Sequence, residues 1–209
     1  MLLAIDTSAG TSVAVVDRDG GILSERTVAD TRSHAEVIGR LIRETLEEAD
    51  VAPAALSGVV AGMGPGPFTG LRVGIAAARA FAFGVGKPVV PLVSHDAVAF
   101  ARALAGDAEP LLVVTDARRR ELYWSRYGAP DAQGFPTRVG GPALAKPDEL
   151  PAGVRRVDAP VIPAGSLGLL AEALYAARRP FAAQSGGHDE PLYLRSPDVT
   201  PSAGPKRVS

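Results

Sequence analysis

One pattern occurs twice in this chain and restricts the folds that it can adopt. A short apolar run is followed by an acidic residue, a turn and a second strand-like run, first over residues 2–17 and again over residues 111–127. Apolar runs of this length bounded by turns are typical of buried strands. The acidic residues are Asp6 and Asp116, which are 110 positions apart. The sequence therefore predicts two related α/β lobes that open on the same hairpin.

The turns of the two copies differ. The first, residues 7–11, contains only small residues, and it resembles the opening turn of sugar-kinase and actin-like ATPases, whose amides hold a phosphate. The second, residues 117–120, is Ala-Arg-Arg-Arg and has no glycine, so bulky side chains keep a phosphate off the backbone. Its arginines either bind a phosphate themselves, of RNA or of a nucleotide held by a partner, or form a solvated basic turn.

A second feature is a strand, a Gly-Pro loop and a helix in succession. Residues 58–61 form the strand, residues 62–68 the loop, and Thr69 is the expected N-cap of the helix. The loop lacks the lysine of a phosphate-binding Walker loop and is either a rigid connector or an anion site. Small side chains recur every four positions on the helix and form a ridge suited to close packing. The ridge residues are Gly70, Gly74, Ala78 and Ala82.

The remaining predicted helices begin at polar residues for which a cap, a metal site or a catalytic triad could be considered. Ser33 and Glu36 fit a capping box for a helix that runs to about residue 50. His34 lacks a second histidine at position 38, so we expect a helix-start or interface role for it rather than a metal role. Ser94 is expected to cap the next helix rather than to belong to a Ser-His-Asp triad. Loops and short strands are predicted over residues 128–163, and an amphipathic helix over residues 166–179.

The composition excludes several classes of protein. The chain has 209 residues, 46% of them hydrophobic, and a net charge of −1, which argues against disorder and against coating nucleic acid by bulk charge. It has no cysteine, so a disulfide framework is excluded. Charged residues and a proline interrupt the longest apolar region, residues 73–93, so no membrane span is expected. With no signal peptide apparent, we expect a cytoplasmic protein.

Four stretches together resemble the TsaB (YeaZ) family: residues 3–7, 64–74, 116–124 and 191–195. The resemblance implies an actin/sugar-kinase-like fold (ASKHA, ribonuclease H-like) of duplicated α/β lobes, of which the second is reduced. It places an N-terminal lobe with a helical partner-binding face over residues 1–106 and the reduced lobe over residues 107–195. A mobile tail is expected over residues 196–209.

The resemblance also implies a function. TsaB proteins are required, non-catalytic partners of TsaD, which transfers the threonylcarbamoyl group to N6 of the adenosine beside the tRNA anticodon, and TsaE docks on the pair. No catalytic residue, metal or cofactor is then expected in this subunit; ATP and a metal would be held by the partner or at the interface. A homodimer through the same helical face is expected when TsaD is absent.

Two alternatives belong to other classes. The first is an ATP-dependent enzyme of the sugar-kinase-like superfamily with Asp6 and Asp116 around Mg²⁺. The second is a peptidase, which the sequence supports least because it has no cysteine, no helical pair of histidines and no separated triad.

Two sets of site residues follow. Helices over residues 33–50 and 69–84 would form the partner face, and Gly74→Leu would spare the fold but abolish the dimer. The interface candidates are His34, Val37, Ile38, Leu41, Gly70, Gly74, Ala78 and Phe81. The candidates near a phosphate or the loop are Asp6, Thr7, Gly64, Gly66, Thr69, Arg72, Asp116 and Arg118.

Overall fold

The computed structural model describes residues 1–181 and 190–195, so the tail expected over residues 196–209 lies outside the described residues. Five strands form the first sheet in the order β3-β2-β1-β4-β5, with β1, β2 and β3 antiparallel and β1, β4 and β5 parallel. Its strands are β1 (Leu2–Asp6), β2 (Thr11–Asp17), β3 (Gly21–Val28), β4 (Gly58–Gly62) and β5 (Val89–Leu92).

The second sheet repeats the order of the first four strands. It runs β8-β7-β6-β9, with β6-β7 and β7-β8 antiparallel and β6-β9 parallel. Its strands are β6 (Leu111–Asp116), β7 (Leu122–Tyr127), β8 (Arg138–Ala145) and β9 (Arg155–Asp158). The prediction of two related lobes, the second of them smaller, is therefore confirmed.

Helices cover both faces of the first sheet. Alternate residues of β1 point to opposite faces, so Leu3 and Ile5 join one apolar cluster and Leu2 and Ala4 the other. α1 and α2 cover the first of these faces, and α4 lies on the other with α3 beside it. The helices are α1 (His34–Glu48), α2 (Phe68–Val85), α3 (Ser94–Leu104) and α4 (Ala164–Ala176); Pro53–Ala55 and Pro147–Glu149 are single 3₁₀ turns.

α4 follows the second sheet in the chain but packs on the first. It contacts β1, β2 and β3, and a Cβ on Gly168 would lie 2.7 Å from Val16 Cγ2, so a glycine is required for this close approach. The helix occupies residues 164–176 rather than 166–179, and most of its residues are buried. The division of the chain at residue 106 stays a prediction.

Three cap assignments were wrong. Ser33 occupies the N-cap position of α1, but its side chain makes no capping bond, so no capping box forms, and the helix ends at Glu48. α2 begins at Phe68 with the extended residue Pro67 in the N-cap position and no side-chain cap bond, so Thr69 lies in the first turn. α3 begins at Ser94 itself, after Val93, so this serine is free to bind elsewhere.

α2 is long and apolar enough by composition to cross a membrane, with a mean hydropathy of 1.3. One third of its residues are buried in the fold, and the core helix of a folded protein often has the same properties. The buried side packs against the first sheet, whereas Arg72 and Arg79 are exposed.

Candidate functional site

The first turn, residues 7–10, is closed around a buried carboxylate. Asp6 is 1% exposed, and its Oδ1 accepts hydrogen bonds from Ser8 N at 2.8 Å and Ser8 Oγ at 2.6 Å. Burial raises the pKa of Asp6, although the bonds from Ser8 oppose this shift. The carboxylate therefore holds the turn together from beneath and does not face solvent.

The Gly-Pro loop, residues 63–67, lies directly on this turn. A Cβ on Gly66 would stand 2.7 Å from Ser8 Cα, and Gly64 has a φ of +98°. Gly64 N donates to Ser94 Oγ at 3.0 Å, which fixes the loop to the start of α3. The loop backbone therefore packs directly on Ser8 and closes this side of the first turn.

The ridge of small residues on α2 also points inward. Thr7 Oγ1 donates to Gly70 O at 2.6 Å and accepts from Gly74 N at 3.0 Å. Gly70, Gly74 and Ala78 are buried, and a Cβ on Gly74 would overlap the Thr7 side chain. The burial of this ridge contradicts the prediction that it docks a partner, and the overlap at Gly74 leads us to expect that Gly74→Leu disrupts the fold.

Most of the other interface candidates are internal as well. Ile38 and Leu41 are buried under the sheet, and only Val37 and Phe81 are partly exposed. His34 is buried, with Nδ1 2.8 Å from Thr11 Oγ1, and burial together with the charge of Arg118 lowers its pKa. No group of metal-binding side chains occurs in the part of the chain that the structure describes.

The outward surface of α1 and α2, called here the outer helix face, has other small residues. Its exposed small or apolar positions are Ala35 and Gly39 on α1 and Ala76, Ala80 and Phe83 on α2, and the exposed Arg40, Arg72 and Arg79 lie on the same helices. Phe83 is 89% exposed. The two helices also contact each other, so the face is continuous.

The second turn, residues 117–120, is open. Arg118, Arg119 and Arg120 have φ values of 61°, 53° and 62°, a left-handed conformation that L side chains disfavour. Asp116 is exposed, and its Oδ1 accepts from Arg118 N at 2.9 Å. The Arg118 guanidinium crosses to the first lobe and donates to Thr31 O at 3.1 Å and Thr31 Oγ1 at 2.8 Å.

A cavity of about 840 Å³ lies between the second turn and the starts of α1 and α2. Of the predicted site residues, it brings together His34, Thr69, Gly70 and Arg118. Asp6, Thr7, Gly64 and Gly66 do not line it, because they are packed beneath the loop. A separate cavity of about 50 Å³, beside Ser8, Asp116 and Arg118, lies between the two turns themselves.

The segment 190–195 connects the two lobes at this cavity. Leu192 N donates to Met63 O at 2.8 Å, and Arg72, which lies 3.9 Å above the Phe68 ring, donates to Tyr193 Oη at 3.2 Å. Arg195 pairs with Glu121 and donates to Ala117 O at 3.2 Å. Sequence reasoning missed Tyr193 and Arg195 as site residues, although their stretch contributed to the family resemblance.

The Ser-His-Asp string at the start of α3 forms no triad, as predicted. The ring nitrogens of His95 lie 2.9 Å from Ser125 Oγ and 3.0 Å from Thr115 Oγ1, and burial lowers its pKa to about 3. Asp96 accepts from Tyr127 Oη at 2.6 Å, and burial raises its pKa to about 6 against the opposing charge of Arg138. These residues attach α3 to the second sheet.

Four strands have the same order in both sheets, and a cleft lies between the turns of the two sheets. This arrangement defines an α/β protein of the actin/sugar-kinase-like class. The family model described as "TsaD: tRNA N6-adenosine threonylcarbamoyltransferase" matches residues 6–152. The chain belongs to the TsaB (YeaZ) family, within the group that this model describes.

Individual relatives are similar to parts of the chain. An uncharacterized protein of Mycobacterium leprae is 41% identical over 157 residues, which cover 73% of this chain and 41% of that protein. The tRNA threonylcarbamoyladenosine biosynthesis protein TsaB of Haemophilus influenzae is 36% identical over 126 residues, covering 60% of this chain and 52% of that protein. The chain thus spans about half the length of these curated relatives.

A solved structure covers more of the chain. An uncharacterized protein of Pseudomonas aeruginosa, described as similar to peptidase YeaZ, has a TM-score of 0.74 and 29% identity, over 93% of this chain and 99% of that one. The likeness therefore extends through both lobes.

Proposed function

We propose that the chain is a non-catalytic subunit in the biosynthesis of threonylcarbamoyladenosine in tRNA. It pairs with a TsaD-type transferase, which modifies N6 of the adenosine beside the anticodon, and allows a TsaE-type ATPase to dock. The observation that carries the proposal is the closed first turn, where the Gly-Pro loop packs on Ser8 and the Asp6 carboxylate is buried. ATP and a metal belong to the partner or to the interface, and the assembly works in the cytoplasm.

The outer helix face supports the pairing. Small side chains at Ala35, Gly39, Ala76 and Ala80 let a partner helix approach closely, and Phe83 supplies exposed apolar surface. The partner bound there is the TsaD-type chain, or a second copy of this chain when TsaD is absent. The sealed ridge of Gly70, Gly74 and Ala78 takes no part.

The test combines depletion with rescue. Depleting the chain should remove threonylcarbamoyladenosine from tRNA, measured by nucleoside analysis with mass spectrometry. Rescue with Ala80→Arg should fail, because a long charged side chain on the outer helix face holds the partner away. Rescue with Ala176→Arg, which makes the same change at an exposed position of α4, should succeed.

Direct binding gives the second readout. The Ala80→Arg chain should remain folded but no longer co-elute with TsaD in size-exclusion chromatography, whereas Ala176→Arg should co-elute. Persistent threonylcarbamoyladenosine after depletion would contradict the assignment. Rapid ATP hydrolysis by the isolated chain, lost in Asp6→Asn, would instead favour the ATP-dependent enzyme.

A further inference from the structure

Arg72 lies at one end of the outer helix face. Arg72, Ala76 and Ala80 are spaced four positions apart, so their side chains follow one stripe along α2. All three residues are exposed. The face to which the partner chain is assigned therefore has an arginine at the end where α2 begins.

Two aromatic rings fix the position of this arginine. The guanidinium carbon of Arg72 lies 3.9 Å from the centre of the Phe68 ring and 5.9 Å from the centre of the Tyr193 ring. The two rings also contact each other, with their centres 4.9 Å apart. Arg72 Nε donates to Tyr193 Oη at 3.2 Å. The ring contacts and the hydrogen bond thus hold the guanidinium in one orientation before any partner binds.

Tyr193 reaches α2 from a distant part of the chain. Leu192 N donates to Met63 O at 2.8 Å, which fixes the segment 190–195 beside the start of the helix. The Tyr193 side chain is 38% exposed, so packing in the core does not account for its position. Its contacts with Arg72 and Phe68 do account for it.

The Nη groups of Arg72 are available to a ligand. Among the residues that the structure describes, Tyr193 is its hydrogen-bond partner, and no carboxylate forms an ion pair with it. α2 contains two arginines and no acidic residue, so its charge favours a negatively charged partner surface. A guanidinium binds both oxygens of one carboxylate in a planar, bidentate pair. Arg72 is therefore suited to a carboxylate on the partner.

The rest of the face favours a protein as that partner. Ala76, Ala80 and Phe83 present small or apolar surface, against which another helix can pack. Affinity for nucleic acid comes mainly from several cations that contact successive phosphates. α2 has only two arginines in 18 residues, which is few for such a surface.

We propose that Arg72, held by Phe68 and Tyr193, binds an aspartate or glutamate side chain of the partner subunit and fixes where α2 docks on it. This inference rests on the proposed function, which supplies the TsaD-type partner. A bidentate pair is directional, so it sets the position of the partner along the stripe as well as adding affinity. Tyr193 is a positioning residue that acts through Arg72.

Calorimetric titration of the full-length chain with the TsaD-type protein of the same organism tests the role of Arg72. Affinity should fall by about tenfold in Arg72→Ala, and by about threefold in Arg72→Lys, which keeps the charge but loses the planar fork. As a control, Arg18→Ala removes an exposed arginine from the turn between β2 and β3 and should leave affinity unchanged. Equal affinity of the Arg72→Ala chain and the unaltered chain would overturn the proposal.

Tyr193→Phe separates positioning from charge. It removes only the hydroxyl that accepts from Arg72 Nε and keeps the ring. Affinity should fall by about threefold in Tyr193→Phe, but this substitution should have no further effect in an Arg72→Ala background, because the hydroxyl acts through the arginine. The affinity of the unaltered chain should also fall more steeply with added salt than that of Arg72→Ala. Additive losses from the two substitutions would refute the positioning role.

Double-mutant cycles identify the carboxylate. Each aspartate or glutamate on the contact surface of the partner is replaced by asparagine or glutamine and tested against the unaltered chain and Arg72→Ala. One replacement should weaken binding to the unaltered chain and have no effect on binding to Arg72→Ala. The proposal is wrong if no replacement behaves in this way, or if Arg72→Ala weakens binding of tRNA but not of the TsaD-type protein. Failure of the unaltered chain to bind the TsaD-type protein would refute the proposed function itself, and this inference with it.

Discussion

The two turns stand at equivalent places in two sheets of the same strand order and have opposite environments. The first turn is buried beneath a loop. The absence of side chains at Gly66 and Gly74 lets the loop approach Ser8 and lets α2 approach Thr7. The second turn is exposed and carries three arginines in a left-handed conformation. A duplicated framework thus fixes where a turn lies, and the segments packed on it decide whether it becomes core or exposed surface.

The strongest way to break this contrast is to add atoms under the first turn. Gly74→Ala should lower the free energy of unfolding by about 3 kcal/mol, because its Cβ would overlap Thr7 and disturb the Thr7 hydrogen bonds. Gly74→Leu should prevent folding. Urea unfolding followed by circular dichroism measures both effects.

The same helix provides the control. A Cβ on Gly84 meets nothing within 4 Å, so Gly84→Ala should raise the free energy of unfolding by up to about 1 kcal/mol through helix propensity. Equal stability of the Gly74→Ala and Gly84→Ala chains would show that the first turn is not sealed against α2.

A second contrast concerns how helices attach to the two sheets. α1 and α2 meet the first sheet through apolar side chains, whereas α3 meets the second sheet partly through His95 and Asp96. Because burial raises the pKa of Asp96 from 3.8 to about 6, its ionisation penalises the folded state above pH 6. That penalty disappears on acidification to about pH 4. His95, whose pKa falls from 6.5 to about 3, acts in the opposite direction and loses stability as the pH falls.

Asp96→Asn removes the gain on acidification and leaves the loss from His95. The free energy of unfolding of Asp96→Asn should therefore fall more steeply than that of the unaltered chain between pH 6 and pH 4, by on the order of 2 kcal/mol. Urea titrations at several pH values measure the slope, with exposed Asp19→Asn as the control. An unchanged slope in Asp96→Asn would show that burial of the Asp96 carboxylate does not affect how α3 is attached to the second sheet.

The smallest expected effect concerns strain in the second turn. Arg120→Gly should raise the free energy of unfolding by about 1 kcal/mol, because glycine adopts a φ of 62° without steric cost. Arg126→Gly, at an exposed position inside β7, should lower it by about 1 kcal/mol. Melting temperatures distinguish the two signs, and destabilisation by Arg120→Gly would show that the turn is not strained.

Sequence patterns predicted the secondary structure better than they predicted which side chains are exposed. The two hairpins, the strand before the Gly-Pro loop and the duplication are recognisable from apolar runs and from the spacing of Asp6 and Asp116. The inner and outer sides of α2 could not be distinguished, because alanine and glycine occur on both. The cap assignments for Ser33 and Ser94 failed for a related reason: a serine that fits a cap by type can bond elsewhere, as Ser94 does with Gly64.

By itself, then, the sequence determined the two-lobed framework and the family, because apolar periodicity and local motifs are encoded by neighbouring residues. Only the tertiary structure decided that the small-residue ridge is internal, since Thr7 bonds Gly70 and Gly74 from more than 60 positions away. It also decided where the 840 Å³ cavity lies. The cavity is lined by residues from distant parts of the chain, which come together only after both sheets and the segment 190–195 are in place: Arg32, Phe68, Arg118 and Arg195.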